Sequence, residues 1–212
     1  MNFSSEPDDE STVYYTTLRG FFQGIFPSGQ TKISLLICNV SQRCYILRQL
    51  LSENLHREIR NMTKGEKARS LFMEGANCAQ AVLGAFASEC GLSVEQALVI
   101  SSGFGGGVGR MREVCGAVSG MVLVLNMIYG SDDLSDKEAK DAHYARIQSA
   151  AALFKAECGS IVCRELLGLE KKAPTPPESD ARTPEYYKKR PCADMVALAA
   201  EITEKYLENN PG

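Results

Sequence analysis

The chain contains no tryptophan and only two histidines, His56 and His143, among 212 residues. A histidine-rich metal site is therefore not expected, imidazole being the commonest ligand of catalytic zinc and copper. No C-x-x-C occurs, which argues against a thioredoxin-like dithiol and against rubredoxin-type or zinc-ribbon knuckles. Nor is there a C-x-x-C-H for covalent haem attachment. Positive charge is not in excess: the net charge is −3 and the pI near 5.6, so a nucleic-acid or anionic-membrane footprint is not expected. No apolar run reaches the roughly 20 residues of a membrane span. The N-terminus carries the acidic SSEPDDES where a secretory signal would place a basic region and an apolar core, so a reducing, cytoplasmic setting is expected.

What the chain does have is cysteine and glycine: eight of the first and 18 of the second. In a reducing compartment eight cysteines read as ligands or redox groups more readily than as structural disulfides. Residues 101–129 organise the rest. Five glycines among seven residues (Gly103, Gly105, Gly106, Gly107, Gly109) form a turn that can take positive φ and press closely on neighbouring groups. It is no nucleotide fingerprint: the third glycine of G-x-G-x-x-G is missing, no strand precedes it, and there is no Walker lysine.

After the turn, residues 114–128 read as a central buried helix with Gly130 as its C′ stop. Cys115 would fall in its first turn, where unpaired N–H groups, with Arg110 and Arg112 upstream, favour a thiolate. Gly116, Ala117 and Gly120 leave a shallow face for another backbone.

Residues 1–61 differ in texture, with an aromatic patch (Tyr14, Tyr15, Phe21, Phe22, Phe26), an apolar run over 33–40 and an amphipathic stretch over 42–60. Cys38 and Cys44 there read as incidental thiols. From Thr63 the pattern is helical. Thr63 and Glu66 open a first helix closed by Gly91; Ser93 and Gln96 cap a short second one to residue 100. Ser135 with Glu138 caps a long fourth over 136–157, and a fifth covers 161–167. The proline-rich stretch 170–189 reads as a linker without helix, and Pro191 starts a final helix over 192–207. The expected fold is all-α, one compact bundle of five to six helices with a glycine-rich turn before the central helix.

On this scheme Cys78 lies in the middle of the first helix, Cys115 starts the third, Cys163 lies in the fifth and Cys192 starts the last. Cations flank three of them: Arg110 and Arg112, then Arg164, then Lys188, Lys189 and Arg190. Thiolates brought together would need such cations or a metal. Cys90 and Cys158, each before a glycine, read as packing residues.

The segments GANCAQAV (75–82), SGFGGG (102–107), CGAVSG (115–120) and CRELLG (163–168), followed by Cys192, resemble the C-GCAxxG-C-C family of redox-active proteins, whose fold is similar to a helical domain of split-Soret cytochrome c. The resemblance covers about 62–207, and Val114 stands where the family label has a glycine. It implies four functional cysteines, Cys78, Cys115, Cys163 and Cys192, that hold an iron–sulfur cluster or another thiolate-bound metal, or cycle disulfides, with a redox partner protein; a homo-oligomer is left open. It stops at Met62, so 1–61 is expected to be an extension and 62–212 a four-cysteine helical redox domain. Gly105, Gly106, Gly107 and Gly116 would support the sulfurs through close backbone approach. Two further readings stand beside this one: a thiol enzyme with Cys115 as nucleophile, short of a base because the facing of His143 is unknown, and a helical partner-binding protein with reduced, buried cysteines.

Overall fold

The structure, a computed structural model, describes residues 62–211. The expectations for 1–61, Cys38, Cys44 and His56 included, lie outside the described residues. Among those residues the chain is helical, with eight α-helices and no strand. They are α1 (Lys64–Met73), α2 (Cys78–Ala85), α3 (Val94–Ser101), α4 (Gly116–Tyr129), α5 (Lys137–Cys158), α6 (Cys163–Leu166), α7 (Pro184–Lys189) and α8 (Cys192–Asn209). None is long and apolar enough to cross a membrane.

The count exceeds the expected five to six for two local reasons. The expected first helix is two. Apolar periodicity runs on through residues 74–77, but Gly75 takes φ +114, and Asn77 caps α2, accepting from the N–H groups of Ala79 and Gln80 while the Gln80 side chain closes a capping box. Cys78 is thereby the first residue of a helix instead of a mid-helix one. The expected linker, in turn, contains α7: Thr183 accepts from the Tyr186 N–H and Pro184 occupies the first turn, where its missing N–H costs nothing.

Smaller corrections concern the caps. The long helix is capped by Asp136, which accepts from the Ala139 N–H, in place of Ser135. Cys115 is the N-cap of α4 and not a first-turn residue, and Gly130 ends that helix in extended backbone (φ −66°) rather than as a left-handed stop. Pro191 is the N-cap of α8. The capping boxes of Thr63 with Glu66 and Ser93 with Gln96 form where the sequence places them.

Three helices meet at the centre. α4 packs on α2, α8 and α5, and α8 also packs on α1 and α2. The small face of α4 sets the closeness of its contact with α2. A Cβ on Gly120 would stand 2.7 Å from the Val82 Cβ, and one on Gly116 would stand 2.9 Å from the Phe104 carbonyl oxygen and 3.0 Å from the Cys78 Cβ. Around this contact Phe72, Leu83, Phe86, Met121, Leu125 and Phe154 are fully buried, each contributing roughly 1.5–3 kcal/mol by removal from water. The consequence for the site is direct: the tight crossing brings the start of α2 against the start of α4.

Candidate functional site

Four helix starts converge on one cavity of about 280 Å³, and Cys78, Cys115, Cys163 and Cys192 all line it. Cys78, Cys163 and Cys192 are the first residues of α2, α6 and α8, and Cys115 caps α4. Cys78 and Cys192 are half-buried; Cys115 and Cys163 are buried. The inner two are fixed by backbone. The Cys115 N–H donates to the Ile161 carbonyl at 2.8 Å and the Cys163 N–H to the Glu113 carbonyl at 2.6 Å, around an isolated antiparallel bridge between Val114 and Val162.

The glycine turn forms one wall. Gly106, Gly107, Val108, Gly109 and Arg110 have φ between +53° and +72°, and Arg112 follows at +64°. Such a conformation costs a residue with a Cβ roughly 1–2 kcal/mol, so Val108 and the two arginines are held there by their surroundings. The turn is closed by its own backbone bonds, among them Gly109 N–H to the Gly103 carbonyl at 2.7 Å and Glu113 N–H to the Gly107 carbonyl at 3.1 Å. Gly107 presses on the inner cysteine: a Cβ there would stand 2.7 Å from the Cys163 Cβ. Gly105 likewise leaves room only for the Asn77 side chain, whose amide donates to the Ser102 carbonyl at 2.9 Å.

The cations are distributed differently from their order in sequence. Arg110 pairs with Asp180 at 2.9 Å and donates through Nε to the Pro176 carbonyl. Arg112 is buried, 7% exposed, and acts to lower the Cys163 thiol, so neither arginine serves Cys115 as the sequence suggests. Arg164 turns away, donating to the carbonyls of Glu170 and Ala173. In its place stand Arg190, paired with Asp180 at 2.8 Å, and Arg182. Arg182 lies over the rings of Phe72 and Tyr186, 4.7 Å from each centroid. It donates to the Ala76 carbonyl through Nη2, and its buried Nη1 has no partner. Arg182, Asp180 and Tyr186 were not anticipated, because 170–189 reads as linker. The Thr183-Pro184 cap signature was the available signal.

The four thiols respond unequally. Burial pushes the Cys115 thiol up to about 12, and the N–H groups of Ala117 and Val118 at the helix start oppose it without prevailing. The sulfur makes no capping hydrogen bond, so the expected thiolate at Cys115 is outweighed by desolvation. Cys163 is raised too, chiefly by burial, with the Arg112 guanidinium acting the other way. Cys78 stands well above its ordinary value, first because of its neighbour Cys192 and then because it is buried. Cys78 in turn holds Cys192 down to about 7, aided by Arg190, Arg182 and Arg112. Within the pair Cys78 keeps its proton and Cys192 is the more acidic sulfur, a thiol beside a thiolate.

Four sulfurs are the donor set a thiophilic metal prefers. Among the described residues, however, no group of three or more His, Cys, Asp or Glu side chains stands close enough to hold a metal ion. As arranged, the cysteines line one cavity together without forming a ready-made site for a single metal ion. Elsewhere, Cys90 belongs to the core, and burial lifts it to about 11. Neither Cys90 nor Cys158 lines the cavity. His143 is bonded to Asn126 at 2.8 Å on α5 and is likewise absent from the cavity wall.

No curated protein and no solved structure gives a significant match to the chain. Residues 76–206 match the family model described as "Putative redox-active protein (C_GCAxxG_C_C)", and because that span is more than half of the 212 residues, the chain belongs to this redox family.

Proposed function

We propose that the protein performs thiol–disulfide exchange with Cys192 as the attacking sulfur and Cys78 as the resolving one. The observation that carries this reading is the Cys78–Cys192 pair at the cavity, with Cys192 lowered to about 7 beside a raised Cys78. An attacking thiol is most effective when its pKa lies near ambient pH, because it is then substantially thiolate without losing nucleophilicity. Cys78, kept protonated, stabilises the Cys192 thiolate in the resting state and is positioned to attack next.

The exchange balances as follows. The Cys192 thiolate attacks one sulfur of a substrate disulfide, forming a mixed disulfide and releasing one substrate thiolate, which takes the Cys78 proton. The Cys78 thiolate then attacks the Cys192 sulfur, forming Cys78–Cys192 and releasing the second substrate thiolate. One disulfide is reduced and two protein thiols are oxidised. The arginines offset the negative charge that moves between the sulfurs.

Cys115 and Cys163 take the supporting place: with raised pKa values and deep burial they stay neutral and shape the cavity floor. A thiol-enzyme role for Cys115 lacks a base, since no histidine lines the cavity. The test is trapping. Cys78→Ser should accumulate a stable mixed disulfide at Cys192 on exposure to a small disulfide, and Cys192→Ser should give none. Equal trapping at Cys115 in both variants would contradict the assignment.

A further inference from the structure

Charge at the cavity is out of balance. Arg110, Arg112, Arg182 and Arg190 line it together with one carboxylate, Asp180. Asp180 already binds both Arg110 and Arg190, which holds its carboxyl below its ordinary range. Arg112 and Arg182 have no carboxylate partner among the described residues. Even with Cys192 counted as a full thiolate, two of the four positive charges remain unmatched. Buried guanidinium groups are ordinarily paired, since removing an ion from water is expensive.

The geometry of these two arginines is also ready for a ligand. Arg182 is clamped between aromatic rings at 4.7 Å and anchored at Nη2, while its buried Nη1 is unused. Arg112 is held by the strained end of the glycine turn. Clamped, desolvated donors lose little freedom on binding, and guanidinium suits a carboxylate in particular because its N–H fork matches two oxygens.

We infer that Arg182 and Arg112 form a carboxylate-recognition subsite beside Cys192, so that the disulfides this cavity takes are small molecules bearing carboxylates near the S–S bond. The inference deepens the exchange reading by naming its substrate class. The carboxylate docks on the arginines, and the adjoining sulfur is presented to Cys192; the bonds made and broken are those already given, with the small disulfide as oxidant.

A pair of alkylating agents tests this without any disulfide chemistry. Iodoacetate and iodoacetamide attack the same thiolate and differ by one carboxylate, so their rate ratio at Cys192 cancels the degree of ionisation. In the reduced full-length protein, followed by peptide mass, that ratio should exceed the ratio in the urea-unfolded chain by about tenfold, the worth of one charge-assisted contact. Arg182→Gln should return it most of the way. Raising ionic strength on the unaltered protein should lower it as well, which keeps the test available if the variant fails to fold. A ratio equal to that of the unfolded chain, or one indifferent to both Arg182→Gln and salt, overturns the subsite. If the ratio behaves as expected but Cys78→Ser traps no mixed disulfide with dithiodiglycolate, the subsite stands and the exchange reading falls. If trapping proceeds equally with dithiodiglycolate and with neutral hydroxyethyl disulfide, the exchange reading stands and carboxylate selection falls.

Discussion

Cys78 and Cys192 line the same cavity, and each shifts the other: Cys192 raises the Cys78 thiol while Cys78 lowers that of Cys192, which splits two chemically identical groups into a proton holder and a thiolate. It depends on helix placement. Each cysteine is the first residue of its helix, and α8 packs directly on α2, so two helix starts bring the sulfurs together.

The first prediction concerns reactivity. With Cys192 lowered to about 7, about half of it is thiolate at pH 7, against roughly 1% for an ordinary thiol near 9. Alkylation at Cys192 should follow a titration centred near pH 7, while Cys115, raised to about 12, should stay inert throughout. Site-resolved mass spectrometry with iodoacetamide from pH 5 to 9 reads both; a midpoint near 9 at Cys192 would refute the pairing.

Stability should carry the same signature. A group whose pKa is lower in the folded state contributes stability that is present above its unfolded value and lost as pH falls through the folded value. For Cys192 the window is about pH 9 down to about 7. The difference in Tm between the reduced protein and Cys192→Ser should therefore grow as pH rises across that window. Cys115 has the opposite sign: its raised pKa stabilises below the unfolded value and that contribution is lost as pH rises towards 12. A Tm difference for Cys192→Ser that stays flat from pH 6 to 9 would count against a thiolate at Cys192.

Gly107→Ala should be far costlier than Gly109→Ala. Both positions have positive φ, +72° and +53°, which costs alanine about 1–2 kcal/mol. Only Gly107 faces a wall, with the Cys163 Cβ at 2.7 Å and the Glu113 nitrogen at 2.8 Å, whereas a Cβ on Gly109 meets nothing within 4 Å. Overpacking adds a further ~1–3 kcal/mol at Gly107. Urea unfolding of the two variants separates strain from contact, and equal losses would mean that the turn does not bear on the cysteine.

How much of this was legible in sequence follows from which signals are local. Caps were readable where a residue and its partner sit three apart, as Thr63 with Glu66 and Ser93 with Gln96 do. The Asn77–Gln80 box carries the same signature but was masked by apolar periodicity running through it, which left Cys78 in mid-helix. The four cysteines were legible as a set through the family motif. Which two would pair, and which thiolate would survive, was not, because burial of Cys115 and the approach of Cys78 to Cys192 depend on packing between helices far apart in the chain. Arg182 was hidden for a related reason: its role depends on Phe72 and Tyr186 stacking around it, and nothing in the proline-rich stretch announces that.

The connection from α6 to α7 crosses the cavity, with Pro177, Ser179 and Asp180 in its wall. Asp180→Asn removes the anchor shared by Arg110 and Arg190. Exposed ion pairs contribute little to global stability, about 0–1 kcal/mol, so Tm should scarcely move while protease cleavage within 170–183 accelerates severalfold. An unchanged cleavage rate would show that the two ion pairs do not hold the segment.

The most direct measurement is a disulfide map of the full chain after one equivalent of a small disulfide, with free thiols blocked at low pH before digestion. The expected product is a single linked peptide pair containing Cys78 and Cys192, with Cys115 and Cys163 recovered as blocked thiols. Linkage through Cys115 or Cys163 instead, or full recovery of four free thiols, would contradict the dithiol account.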